Sequence, residues 1–121
     1  MKYLCLGYRD EQAWSELSIG QRQALQREMI DYSELLRHNG SRVECKALPS
    51  FRTATTLRFE QGTLSIREGP FAEHRQQLGG IIVIEAMDLN RAIQMMSQSP
   101  CMRPGGSIEI RPLHHKVKLE E

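Results

Sequence analysis

Between residues 67 and 80 the chain gathers two carboxylates, Glu68 and Glu73, a histidine, His74, and two arginines, Arg67 and Arg75. A carboxylate and an imidazole within hydrogen-bond reach form an acid/base pair that works near neutral pH. Glu68 is therefore a candidate to remove a proton and His74 to supply one. Arg67, Arg75 and Arg52 carry planar forks that suit an anionic substrate, although arginines at strand ends serve equally well as solvated charge. Glu73 reads as structural, accepting backbone N–H groups to hold the loop. Gly69-Pro70 forces a turn and Gly79-Gly80 frees the backbone again, which pins about a dozen residues between strands. Pinned polar loops on sheet scaffolds commonly carry function.

Elsewhere the chemistry is thinner. Cys5, Cys45 and Cys101 lie far apart and form no CxxC pair. That pattern points to neither a disulfide framework nor a zinc site and leaves the thiols as small apolar fillers. His114 and His115 are adjacent and project in different directions, unlike the i, i+4 pair of a helical metal site, so no metal is expected. No cofactor is expected either. Met87, Met95, Met96 and Met102 would line a soft pocket or, more ordinarily, fill the core. Gly105-Gly106 lacks the Lys and Ser/Thr of a phosphate loop and reads as a turn.

The elements that must position these residues alternate between strand and helix. Lys2 to Tyr8 interleaves two apolar sets, as expected of a central strand covered on both faces. Ser18-Ile19-Gly20-Gln21 matches a capping box, and Leu25, Met29, Tyr32 and Leu36 recur at helical steps until His38-Asn39-Gly40 stops them. Val43, Cys45 and Ala47 make a strand near a sheet edge before Pro49. Leu57 and Phe59, then Leu64 and Ile66, flank Gln61-Gly62 as a β-hairpin. Ile81 to Ala86 reads as a strand. Asp88 caps a second helix with the stripe Leu89, Ala92, Ile93 and Met96, ended by Ser99-Pro100. Ile108 and Ile110, closed by Pro112, form the last strand.

This order, βαβ, hairpin, βαβ, predicts a ferredoxin-like α+β sandwich with an antiparallel sheet and helices on one face. The other face needs a cover, and a second copy of the chain is the expected one, giving a homodimer. At 121 residues, 40% hydrophobic and 26% charged, the chain is expected to be one domain over residues 1–112, followed by a polar tail over 113–121 that is mobile or reaches across the partner. Sixteen basic against fifteen acidic side chains give a formal charge of +1, which offers no footprint for nucleic acid or an anionic membrane. The N-terminus is interrupted too soon for a signal peptide and no apolar run reaches membrane length, so a soluble cytoplasmic protein is expected.

Several stretches together carry a family likeness: Met1-Lys2-Tyr3, Asp10-Glu11 with Trp14, Thr55-Thr56, Gly69-Pro70-Phe71-Ala72-Glu73, Gln77-Leu78-Gly79-Gly80 and Ser107 to Pro112. In collinear order they resemble the YCII-related family, in particular its DGPF-type branch. The resemblance implies a ferredoxin-like subunit of a dimeric α/β barrel. In some members it also implies lyase or dehydrochlorinase chemistry by a histidine and an aspartate. The aspartate before Gly-Pro-Phe falls on Glu68 here, and the first-helix histidine falls at about Met29, whose thioether moves no proton. Two readings follow. One is a binding or regulatory module with a pocket floored by Tyr8 and Met29 and rimmed by the loop, where Arg67, Gly69, Pro70 and Phe71 touch the ligand beside Glu68 and His74. The other is a small acid/base enzyme that uses Glu68 with His74, or a tyrosine, on a hydroxylated or aromatic molecule. A structural partner protein with a solid dimer core is the third.

Overall fold

The computed structural model describes residues 1–103 and 105–114; His115 and the rest of the expected tail lie outside them. Lys2–Asp10 forms β1, and its side chains alternate between two environments. Tyr3 and Cys5 are buried in the main core, with Leu36, Ile84, Ala92, Met95 and Met96 around them. Leu4, Leu6 and Tyr8 point to the other face and are half-buried. Asp10 ends the strand and caps the short helix α1, Glu11–Ser15, its carboxylate accepting from the Ala13 N–H.

The 20-residue helix α2, Ile19–His38, begins at a complete capping box. Ser18 Oγ accepts from the Gln21 N–H at 3.1 Å and Gln21 Oε1 accepts from the Ser18 N–H at 2.9 Å. Leu25 and Leu36 are its buried residues. β2 (Arg42–Ala47) follows as an edge strand, then the hairpin β3 (Thr55–Glu60) and β4 (Thr63–Glu68), then β5 (Gln76–Glu85), α3 (Leu89–Ser97) and β6 (Ser107–Pro112). The main sheet has the order β2-β5-β1-β6 with every neighbouring pair antiparallel, which is the ferredoxin-like arrangement.

Two local expectations are corrected, and the hairpin gains a placement. The apolar run from Ile81 is the second half of a strand that starts at Gln76, so the connection between β4 and β5 spans only residues 69–75. Gly79 and Gly80 lie inside that strand because the backbone needs close approach there. Gly7 pairs Gly80 and Tyr8 pairs Leu78, leaving Gly79 as the extra residue of a β-bulge. A Cβ on Gly80 would come within 3.1 Å of the Lys46 carbonyl on β2. The stripe of α3 is also turned. Ala92, Met95 and Met96 are buried, at i, i+3 and i+4, whereas Leu89 and Ile93 are 49% and 46% exposed. Finally, β3 and β4 stand apart from the main sheet as a two-stranded ribbon.

Candidate functional site

Strand alternation sends Tyr3, Cys5, Gly7 and Arg9 toward the helices, and the two residues after Cys5 change what the sheet can hold. Gly7 has no side chain, and on the neighbouring strand neither do Gly79 and Gly80. Between this depression and α2 lies a cavity of about 680 Å³. Its apolar wall includes Met29, Leu36, Ile82, Met96 and Ile108, with Trp14 and Tyr32 adding rings. All three cysteines border it, so residues far apart in sequence share one wall.

Burial shifts several ionisable groups of this wall. Burial pushes the Cys5 thiol up to about 11, reinforced by Cys101 nearby. Burial also raises Cys101, although Ser99 Oγ, 3.1 Å from its sulfur, works the other way. Tyr32 is raised by burial and donates its hydroxyl hydrogen to the Met95 carbonyl. Glu34 is held below the usual carboxylate range, chiefly by hydrogen bonding with Arg37. The cavity wall therefore carries the Cys5 and Cys101 thiols and the Tyr32 phenol in their neutral forms, and its one carboxylate among the described residues, Glu34, is already committed to a guanidinium. No histidine is among its described lining residues.

Arg9 is the residue that pattern reading missed. Its guanidinium lies 4.7 Å from the centroid of the Trp14 ring, and Nη2 donates to Glu11 Oε1 at 3.3 Å. Nε is buried without a hydrogen-bond partner among the described residues. A Cβ on Gly79 would sit 3.9 Å from both Nε and Cζ, so the bulge lies directly against the guanidinium. Alternation along β1 was the available signal, since Arg9 shares its parity with buried Tyr3 and Cys5.

The residues singled out from the sequence fall into two groups. Tyr8 and Met29 border the cavity. The Tyr8 hydroxyl, however, turns to the opposite sheet face and donates to Glu109 Oε1 at 3.2 Å; burial, with Glu109 second, raises it. Arg67, Glu68, Gly69, Pro70, Phe71 and His74 are not among the cavity's lining residues. They belong to β4 and the short connection after it, where Glu68, Phe71 and His74 are exposed. Arg67 donates to the Pro70 carbonyl, and Arg58 donates to the Phe71 carbonyl while stacking 4.9 Å from the Phe71 ring centroid. Arg75 donates to Asp10 Oδ2 at 2.6 Å, and Arg52 stacks on Phe51. Gln77, not Glu73, holds the loop: its buried Nε2 donates to the carbonyls of Ala72 and His74 at 3.0 and 2.9 Å. The loop turns carbonyls inward, which demand a donor, and a carboxylate has none. Met96 lines the main cavity, while Met87 and Met95 border a shallower one beside α3.

The ferredoxin-like sheet, the Gly-Pro-Phe connection and the Leu-Gly-Gly bulge define a class, and the comparison of the whole chain agrees with it. The YCII-related domain model matches residues 1–115, and the chain belongs to that family. An uncharacterised protein of Rhizobium meliloti (strain 1021) is 30% identical over 114 residues, covering 93% of this chain and 92% of its own. Among solved structures, the chain is similar to 5-chloro-2-hydroxyhydroquinone dehydrochlorinase (TftG) from Burkholderia phenoliruptrix AC1100, determined in complex with 2,5-dihydroxybenzoquinone. The TM-score is 0.58 at 13% identity, with 96% of each chain covered. A likeness at that identity is one of fold. Among the described residues no helix is long and apolar enough to cross a membrane, and no cluster of His, Cys, Asp or Glu is placed to hold a metal ion.

Proposed function

We propose that this chain is a small-molecule binding module of the YCII-related family, working as a homodimer, with its ligand held between α2 and the main sheet. The observation that carries the reading is the cavity of about 680 Å³ with a largely apolar wall and charged groups at its border. That is the usual make-up of a site for a compact organic molecule. Met29 stands on this wall at the place where the resemblance assigns a histidine to relatives, which favours holding a ligand over converting it. The hairpin favours a second copy of the chain, because a lone two-stranded ribbon is marginal in water and this one turns apolar side chains outward.

The acid/base alternative draws on TftG, whose name is that of a dehydrochlorinase. It would assign proton removal to Glu68 and proton supply to His74, with substrate reaching them at the β4–β5 connection.

One experiment separates the two: an NMR screen of isotope-labelled protein against pools of small phenols, hydroxy acids and keto acids. The binding reading expects amide shifts at Met29, Gly79, Gly80 and Cys101 while the ligand signals persist. Consumption of one pool member, abolished in Glu68→Gln, would replace the binding module with an enzyme. Shifts confined to residues 67–75 would move the ligand away from this cavity.

A further inference from the structure

Among the described residues four cationic side chains border the cavity, and each has a carboxylate within 4.0 Å. Arg42 Nη1 donates to Ser33 Oγ at 2.7 Å and lies 4.0 Å from Glu34. Lys46 pairs with Glu44 at 3.6 Å and Arg103 with Glu28 at 2.7 Å. Arg9 differs from all of these. Its carboxylate partner, Glu11, accepts from Nη2 alone, at 3.3 Å, and so leaves the Nε edge of the guanidinium open. Its Nε–H is buried and unpaired among the described residues. Trp14 covers the guanidinium at 4.7 Å, which excludes water from one side of it. Gly79 at the bulge puts no side chain against the guanidinium, where a Cβ would stand 3.9 Å from Nε and Cζ. A buried charged donor without an acceptor is costly to maintain, and a planar carboxylate is the anion whose two oxygens match a guanidinium edge.

Resting on the reading of this cavity as a ligand site, we propose that its ligand is an apolar monocarboxylate, the carboxylate paired with Arg9 and the hydrocarbon body lying against Met29, Leu36, Ile82 and Met96. One guanidinium with one donor, Nε–H, left without an acceptor calls for one anionic group. A phosphate or dicarboxylate would bring a second charge that Arg42, Lys46 and Arg103 meet only by giving up Glu34, Glu44 and Glu28. The apolar wall calls for a hydrocarbon body of bicyclic size.

Titration with 2-naphthoate and its uncharged amide, 2-naphthamide, tests this on the unmodified protein by amide shifts and by the side-chain Nε–H resonance of Arg9. The expected result is at least tenfold tighter binding of the carboxylate, about 1.4 kcal/mol, with the Arg9 Nε–H signal moved by naphthoate and not by naphthamide. In Arg9→Met the two ligands become equal. Equal affinities on the unmodified protein, or a carboxylate preference that leaves the Arg9 signal unmoved, would overturn the proposal while the cavity remains a binding site. Failure of both ligands to shift the cavity amides would overturn the two readings together. Because the Arg9 signal is read without substitution, the proposal is decided even where Arg9→Met does not fold.

Discussion

Asp10 joins three parts of the molecule through one carboxylate. It ends β1, accepts the Ala13 N–H to start α1, and accepts from Arg75 Nε at 2.6 Å to tie down the connection before β5. The Ala13 N–H, then Arg75, hold its carboxyl below the usual range against the opposing effect of burial. Between that lowered value and the ordinary value of about 3.9, the unfolded chain binds more protons than the folded one. The stabilisation is therefore complete above the ordinary value and is lost as the pH falls through the folded value. Asn at position 10 still caps a helix but gives Arg75 no charge. Urea midpoints of Asp10→Asn should lie below wild type at pH 7, and the gap should narrow as the pH falls below the ordinary carboxylate value of about 3.9. A gap that stays constant with pH would remove the charge from the explanation. The tie itself is not legible in the sequence, because Asp10 and Arg75, a separation of 65 in sequence, are brought together only by the β1–β5 register. Arg9 was hidden for the same reason: its neighbour Gly79 sits on another strand, and what made the glycine read as a loop residue was the Gly-Gly pair alone.

At the scale of elements, local rules were the most legible. The Ser18–Gln21 box, the Asp88 cap, whose carboxylate accepts from the Arg91 N–H, and the Gln61-Gly62 hairpin all occur where the sequence placed them. Each is decided within about four residues, by side chains that satisfy or permit backbone groups nearby. What propensity could not supply was rotation and extent. Leu89 and Ile93 are as apolar as Met95 and Met96, so the face of α3 that meets the sheet is chosen by packing on Ile84 and Tyr3, not by hydropathy. The early start of β5 was masked by Gln76 and Gln77, polar residues that the loop reading absorbed. Gln77 is buried because it serves the loop's carbonyls. Since α2 forms one wall of the cavity, its N-terminus is worth testing alone. Ser18→Ala removes one half of the capping box and should cost about 1 kcal/mol, seen as a lower urea midpoint with an unchanged denaturant slope. An unchanged midpoint would mean that packing of Leu25 and Leu36 alone holds the helix.

For the whole molecule, the two surfaces left over by this fold argue for a second copy of the chain. Helices cover one side of the main sheet, while Leu4 and Leu6 on β1 and Ile81 and Val83 on β5 form a contiguous half-buried patch on the other. The ribbon adds a second surface. Leu57 pairs with Ile66 and Phe59 with Leu64 on one face, and these four side chains are 62%, 67%, 76% and 46% exposed. An apolar patch of this kind is unusual on a monomer's surface, and each such side chain gains about 1.5–3 kcal/mol on full burial. Binary pattern in the sequence identified both strands of the ribbon but could not tell that they leave the sheet, since alternation reads the same whether the apolar face meets a core or a partner. Sedimentation velocity at micromolar concentrations should give a dimer. Phe59→Asp together with Ile66→Lys places charge at the centre of the ribbon's face and should weaken dimerisation on the order of a hundredfold or more, the equivalent of about 3 kcal/mol. The far-UV signature of the sheet should be retained, because neither side chain belongs to the main core. A wild-type chain that sediments as a monomer at those concentrations would leave the ribbon for a different partner, and a double variant that remains dimeric would confine the interface to the open face of the sheet.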